Sequence, residues 1–587
     1  MTESGAQFYE FGPFRLDVAK QRLSRDGVPV ALTAKLFETL LVLIESDGEL
    51  IEKETLIERV WPDRFVEEGN LTQNISVLRK VLGESAEARD YIVTVPRRGY
   101  RFVADVKKIT KAATSADEKM TATKPAAFDS GAPSVAVLPF KLLASNGDDY
   151  LGLGLADALI TRLSNVRQII VRPTSSVLKY AQAAQDVRVT GQELGVASVL
   201  EGSVRRAGGR LRVTVQLVRV EDGRALWADK FDEEFTDLFT VEDRIAARVA
   251  AALALQLTSA ERALLAKRYT ASPEAHEHYL KGRYYANRFT LENFHKAIDA
   301  FNRALELDPD YALAYAGVAE AYFIAADLYL NPLEALQKTR EASARALQID
   351  DSLSEAHTYL ATVLMNIDWN WAEAEKGFRR AIELNPGYAA AHHWYGWLLT
   401  LLARLDAAIN ELEMARRLDP MSIGINWFLA AAYGFAGRFD ESVRQGELLI
   451  ELEPRSWSGY WCVGYTRGVM GEFDRSLAAF EQAGRLDQSP MIAGQMGFVY
   501  ALAGLHDEAR ATLAELKAKS AESYVPPYYL AVIHAALGED DEAFEYLEKA
   551  YEMRDGNLPM LKVDQRLDSL RGDPRFDDLL WRMGLPA

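Results

Sequence analysis

The chain has 587 residues, 49% of them hydrophobic, a formal net charge of −18 and a single cysteine. That length predicts three or more domains, since one hydrophobic core stops growing well below it. Cys462 alone excludes an internal disulfide and a thiolate metal cluster; the absence of a long uncharged apolar run, or of a secretory pattern in MTESGAQFYEFGPF, reads as a cytoplasmic chain with no membrane span.

In chain order, YEFGPFRLD, QRLSRDG and VPVALT read as short strands, with Asp26-Gly27 as a hairpin turn. TAKLFETLLVLIESDG reads as a helix capped by Thr33 and closed by Gly48. KETLIERVW is a second helix, NLTQNISVLRKVLGE a third, and YIVTVPRRGYRFVA a β-hairpin turning near Gly99. Residues 1–69 carry eight basic against fourteen acidic side chains, whereas residues 70–108 carry eight against four. Any face that meets DNA therefore lies in the second stretch, whatever the overall charge.

On the third helix Leu71, Ile75, Leu78 and Leu82 share one stripe, which predicts that they face the core. Asn70, Gln73, Asn74 and Val77 fall on the other side. Asn and Gln side chains pair with adenine in a major groove and valine meets a thymine methyl, so these four are the candidate base readers. Arg79, Lys80, Arg97 and Arg98 are the candidate contacts to phosphate or a narrow minor groove.

The early strands, Leu32-Thr33, Phe37-Leu40-Leu41, Leu56, Trp61, Leu78-Arg79-Lys80, Tyr91-Ile92 and Gly99-Tyr100-Arg101-Phe102 together resemble the OmpR-type winged-helix effector domain over residues 8–104. The resemblance implies a third helix lying in the major groove, a hairpin wing against the flanking groove, and head-to-tail copies on repeated half-sites. Gly69 and Val77 stand where relatives often carry arginine, which predicts modest affinity per copy and a homo-oligomer on DNA. Neither a receiver domain ahead of this region nor a membrane span behind it, as in ToxR-like and CadC-like regulators, is legible. The input signal is therefore expected from the domains that follow.

Residues 107–133, rich in Ala, Thr, Ser and Lys, read as a flexible linker after a domain at 1–106. Residues 134–258 alternate strands and helices and resemble the small α/β domain related to the TolB amino-terminal domain, most clearly at Leu-Glu-Gly-Ser-Val and Trp227. Gly152-Leu153-Gly154 lacks the third glycine of a dinucleotide loop because Asp157 stands there, so tight helix packing is the better account. Arg205, Arg206 and Arg210 flank Gly208-Gly209 and read as an exposed hairpin tip.

Residues 272–587 are predicted to be helical repeats. Pro386, Pro420 and Pro454 recur every 34 residues, and Gly437, Gly471, Gly504 and Gly538 keep nearly the same period. The pattern resembles the tetratricopeptide repeat, in about eight units between 272 and 555. Such an array lines one face with the first helix of each unit. His393, Trp427 and Trp461 would then form a ladder, joined by Trp397 and Tyr465, either gripping an extended peptide or filling space between units.

The expected architecture is thus multidomain α and α/β: a winged helix, a small α/β middle domain and an α-helical tetratricopeptide solenoid. No nucleophile–base pair, metal-ligand set (His392-His393 included) or cofactor motif is legible, so no catalytic residue, metal or cofactor is expected. The function expected is a sequence-specific regulator with double-stranded DNA and a protein or peptide as partners. A non-catalytic adaptor or scaffold protein, using the repeats for protein binding, is the alternative.

Overall fold

The alternation of short apolar and polar residues that reads as strands at the N-terminus does form a sheet. The computed structural model describes residues 7–12, 14–17, 22–25, 28–30, 34–46, 48, 50–60, 68–82, 91–95, 98–104, 106–110, 133–143, 148–181, 186–207, 209–235, 238–253, 255, 257–288, 290–328, 332–521 and 523–585. The chain divides into two units, Met1–Ala122 and Thr123–Ala587.

In the first unit, β1 (Gln7–Phe11), β2 (Phe14–Asp17), β3 (Arg22–Arg25) and β4 (Val28–Val30) form an antiparallel meander. Then follow α1 (Ala34–Glu45), β5 (Ile51–Glu52), α2 (Lys53–Val60), α3 (Glu68–Val81), β6 (Ile92–Val95) and β7 (Gly99–Phe102). The strand order β5-β7-β6 makes the second sheet. Gly99 has to be glycine, because a Cβ there would stand 1.8 Å from the Ile51 carbonyl oxygen as β7 crosses β5. Phe11 stacks on Phe14 and meets Phe102 edge-on within the core that Phe37, Leu40 and Leu56 complete. The first four residues of the linker expected at 107–133 form a strand instead. Lys107–Thr110 forms β8, antiparallel to β1 with Lys107 opposite Glu10, and covers an edge that the meander would leave unpaired. Asp26-Gly27, Thr33, Trp61 and residues 111–132 lie outside the described residues.

In the second unit, β9 (Ser134–Val137), β10 (Lys141–Leu142), α4 (Tyr150–Ser164), β11 (Ile170–Val171), α5 (Thr174–Val177), α6 (Val187–Glu193), β12 (Ser198–Ala207), β13 (Arg210–Arg219), β14 (Ala225–Glu234), α7 (Leu238–Ala252) and α8 (Ser259–Leu265) come first. The sheet runs β11-β9-β12-β13-β14, parallel through β12 and antiparallel beyond it, with β10 beside β12. Gly152 and Gly154 serve packing, as expected. A Cβ on the first would meet the Phe140 carbonyl oxygen at 2.3 Å, and one on the second would meet Leu280 at 3.0 Å.

Eight helical hairpins follow among the described residues: α9 (Pro273–Ala286) with α10 (Leu291–Leu307), α11 (Ala312–Leu328) with α12 (Pro332–Ile349), α13 (Ser354–Asn366) with α14 (Trp371–Leu384), α15 (Ala389–Leu401) with α16 (Leu405–Leu418), α17 (Ile423–Phe435) with α18 (Phe439–Leu452), α19 (Trp457–Val469) with α20 (Phe473–Leu486), α21 (Pro490–Leu502) with α22 (His506–Lys519), and α23 (Pro527–Ala536) with α24 (Asp540–Glu552). Large-into-small packing builds them. The fully buried Phe301 ring of α10 fills the space left by Gly282 of α9 and Gly317 of α11, where a Cβ would stand 2.4 and 2.7 Å from it.

The middle sheet layer and the first repeats share one continuous core, from Val135 through Val249 to Val363. Polar clasps reinforce it. Arg283 of α9 donates to the buried Asp157 of α4 at 2.8 Å and also pairs with Glu320. Glu242 of α7, fully buried, accepts from Arg162 at 3.1 Å and lies 2.8 Å from His276 of α9. Arg172, pushed down to about 10 by burial, donates to the carbonyls of Leu194 and of Leu418, at the end of α16. Asp419 accepts from the hydroxyls of Ser175 and Ser176 at 2.6 and 2.5 Å.

After α24 the chain turns back. Two short 3-10 stretches, Leu558–Lys562 and Gln565–Leu570, pass along the first helices of five successive units before α25 (Pro574–Arg582). The first stretch packs on α15. Gln565 donates to the Phe435 carbonyl of α17 at 3.3 Å. Arg566 lies 5.4 Å over the Tyr465 ring of α19 and donates to Gln495 of α21 at 2.7 Å. Tyr528 of α23 donates to Asp564 at 2.7 Å. Beyond α25, the Met583 carbonyl accepts from the Trp371 indole of α14 at 2.8 Å.

Candidate nucleic-acid interface

The reading helix of the first unit is α3, and its orientation follows from its apolar stripe. Leu71, Ile75, Leu78 and Leu82 are all buried, each 3% exposed or less. Val77, on the other side, is 36% exposed. Asn74 is half-buried and its amide donates to the Thr39 hydroxyl of α1 at 3.3 Å. The side chains of Asn70, Gln73 and Lys80 and the whole of Arg97 lie outside the described residues. Arg98 is exposed at the β6–β7 turn, where its amide donates to the Val95 carbonyl at 3.0 Å.

Arg79, expected at a phosphate or a narrow minor groove, is half-buried. Its guanidinium points back at β6, donating to the Ile92 carbonyl through Nη2 at 2.9 Å and to the Thr94 hydroxyl at 2.8 Å. Nothing at the level of a helical wheel marks this, because the acceptors lie on a strand more than ten residues further along the chain.

Residues 27–102 match the family of the transcriptional regulatory protein C-terminal domain. This segment is an OmpR-type DNA-binding domain. The OmpR-type domain is followed by a match to the second domain of HilA/YgeH-like transcriptional regulators at 130–248, where the sequence alone pointed to the TolB amino-terminal domain. Tetratricopeptide repeats match at 278–311 and 528–557. The chain is similar to the transcriptional regulator HilA of Salmonella typhimurium, 24% identical over 403 residues, 68% of each chain. It is also similar to a putative adenylate cyclase 3 of Rhizobium meliloti, 32% identical over 238 residues, 40% of each chain. The transcriptional activator CadC of Escherichia coli is 36% identical over 86 residues, 14% of this chain and 17% of that one. The chain thus spans about two thirds of HilA and under half of the other two. Among the described residues, no helix is long and apolar enough to cross a membrane.

Behind the OmpR-type domain, the ladder of the repeats is internal. His393, Trp461 and Tyr465 are buried, and Trp397 and Trp427 half-buried. Trp427 meets Trp461 at 5.7 Å, Trp461 stacks on Tyr465 at 5.3 Å, and Trp397 meets Phe428 at 4.6 Å. Each ring bridges neighbouring helices, and the returning C-terminal segment packs in the same core. Burial pushes His393 down to about 3, keeping it neutral. His392 lies 2.6 Å from Glu411 and 3.0 Å from the Pro386 carbonyl, and among the described residues no group of three or more His, Cys, Asp or Glu could hold a metal ion. Arg206 pairs with Asp148 and lies 3.7 Å over the Phe235 ring, and Arg210 pairs with Asp232, so these arginines are engaged within the fold.

Proposed function

We propose that the chain is a sequence-specific, non-catalytic transcription regulator acting in the cytoplasm, which reads double-stranded DNA with α3 and the β6–β7 hairpin. Its operator is read by Asn70, Gln73, Asn74 and Val77, with Lys80, Arg97 and Arg98 on the backbone or a flanking minor groove. The observation that carries this reading is α3, which buries one stripe and leaves Val77 on the other side open to a base edge. Asn74 is compatible with it, since its 3.3 Å bond to Thr39 is long enough to exchange for a base. Residues 111–132 tether the reading domain to the second unit, and several copies line up on repeated half-sites. Because the returning segment packs along the first helices of the last five units, a protein partner docks on surfaces that this packing leaves outside.

The test is selection of bound fragments from a random-sequence duplex pool by the full chain, followed by titration against salt. Enrichment of one motif, with log affinity falling steeply with log salt, supports the reading. Recovery of no motif above the unselected pool overturns it and favours an adaptor that uses the domain for protein contact.

A further inference from the structure

We propose that Arg79 is a positioning residue that fixes the reading helix against the β6–β7 hairpin instead of touching a phosphate. The inference rests on the DNA-binding reading above and deepens it.

Arg79 follows the fully buried Leu78 on α3 and is half-buried itself. Its Nε and Nη2 edge converges on β6: the Ile92 carbonyl accepts from both, at 3.3 and 2.9 Å, and the Thr94 hydroxyl accepts from Nη2 at 2.8 Å. Ile92 is fully buried and opposite Phe102, so this carbonyl belongs to a strand that the core holds in place. Thr94 pairs with Tyr100, one residue past Gly99, where β7 begins. The same strand ends at Val95, whose carbonyl closes the turn that presents Arg98.

A guanidinium is a rigid planar fork, and the edge used here is the one that would otherwise clasp a phosphate bidentately. Apolar contacts between α3 and the hairpin are non-directional and tolerate sliding, whereas a fork onto two acceptors of one strand sets both distance and angle. Arg79 therefore acts through Arg98. It sets how far the hairpin tip stands from the base-reading side of α3, and hence which flanking step the tip reaches.

The experiment is anisotropy titration of the full chain against a fluorescent duplex, the strongest recovered from the random-sequence pool, over roughly 50–200 mM salt. Arg79→Lys keeps the charge but offers one ammonium in place of the fork. We expect it to weaken binding by about ten-fold with the salt slope unchanged. Arg98→Ala alone is expected to lower the slope by about 0.9, and to lose most of that effect when combined with Arg79→Lys, a non-additivity between residues that do not touch. Thr94→Val, which keeps shape and removes one acceptor, is expected to weaken binding a few-fold and to blunt the Arg98→Ala effect in part. It keeps the proposal testable should thermal unfolding show Arg79→Lys to be misfolded. The proposal is overturned if Arg79→Lys binds like the parent while Arg79→Ala loses about 0.9 from the slope, as a phosphate contact would. It also falls if Arg98→Ala costs the same in every background. A parent chain that recovers no duplex sinks the DNA-binding reading itself, a different result from either.

Discussion

Between the two helices of a repeat, the backbone makes a left-handed step. Gly437 and Gly471 take it at φ of +70° and +79°, but the matching position one unit earlier is Ala403, at +60°. An L-residue with a Cβ is strained there and glycine is not. Ala403→Gly, at an exposed site, is expected to stabilise the second unit by about 0.5–1 kcal/mol, even after the added chain entropy of glycine. A guanidinium unfolding midpoint that stays put or falls would count against this. Charge is the other matter settled residue by residue. Arg283→Ala leaves the buried Asp157, among the described residues, with the Thr174 hydroxyl alone, at 2.6 Å, and is expected to cost about 3–5 kcal/mol by the same assay. Glu242 shows the pH sign. Burial pushes its carboxyl up, but His276 and Arg162 outweigh burial and hold it below the usual range. A depressed folded value adds stability above the ordinary glutamate pKa that is lost as pH falls through the lower one. The stability gap between the parent and Glu242→Gln should therefore hold down to the ordinary glutamate pKa of about 4.3 and shrink only below it; a gap that stays constant on down to roughly pH 2 would refute the assignment.

Whole elements were the most legible part of the sequence. The 34-residue recurrence of proline and glycine marked the hairpins, and the three-four spacing of leucines gave the buried side of α3, because both express local geometry that a single segment carries in itself. What escaped was pairing between distant segments. KKIT reads as the start of a linker until β1 offers it an edge, and Arg79 reads as a surface cation until β6 offers two acceptors. The aromatic ladder was visible as a period, but only packing shows its rings turned into the array. The fit of Phe301 between two glycines tests how far element contacts carry stability. Phe301→Ala is expected to cost about 3–5 kcal/mol, since glycine neighbours have no side chains with which to collapse into the void. A cost below about 1 kcal/mol would mean that α9 and α11 close the gap by moving.

At the scale of the second unit, the returning segment is the feature that no local pattern announces. Leu558, Leu561, Leu567 and Leu570 are buried against the first helices, and the Asp564–Arg566 pair is sealed beneath them. Deleting residues 555–587 should uncover a long apolar face. We expect a dye that fluoresces on apolar surface to bind strongly, and the second unit to unfold at lower denaturant than in the parent; an unchanged midpoint with no dye binding would argue that the segment merely rests on the repeats. The bond from Trp371 to Met583 has a broader consequence. An ordinary open array can gain or lose a unit by duplication or deletion, because each contacts only its neighbours. Here the third hairpin is tied to the residues after the eighth, so inserting or excising one unit between them would put the tail out of step with every helix it crosses. The number of units between them is thereby held fixed, and a change of length is better absorbed in the loops on the outer side of the array.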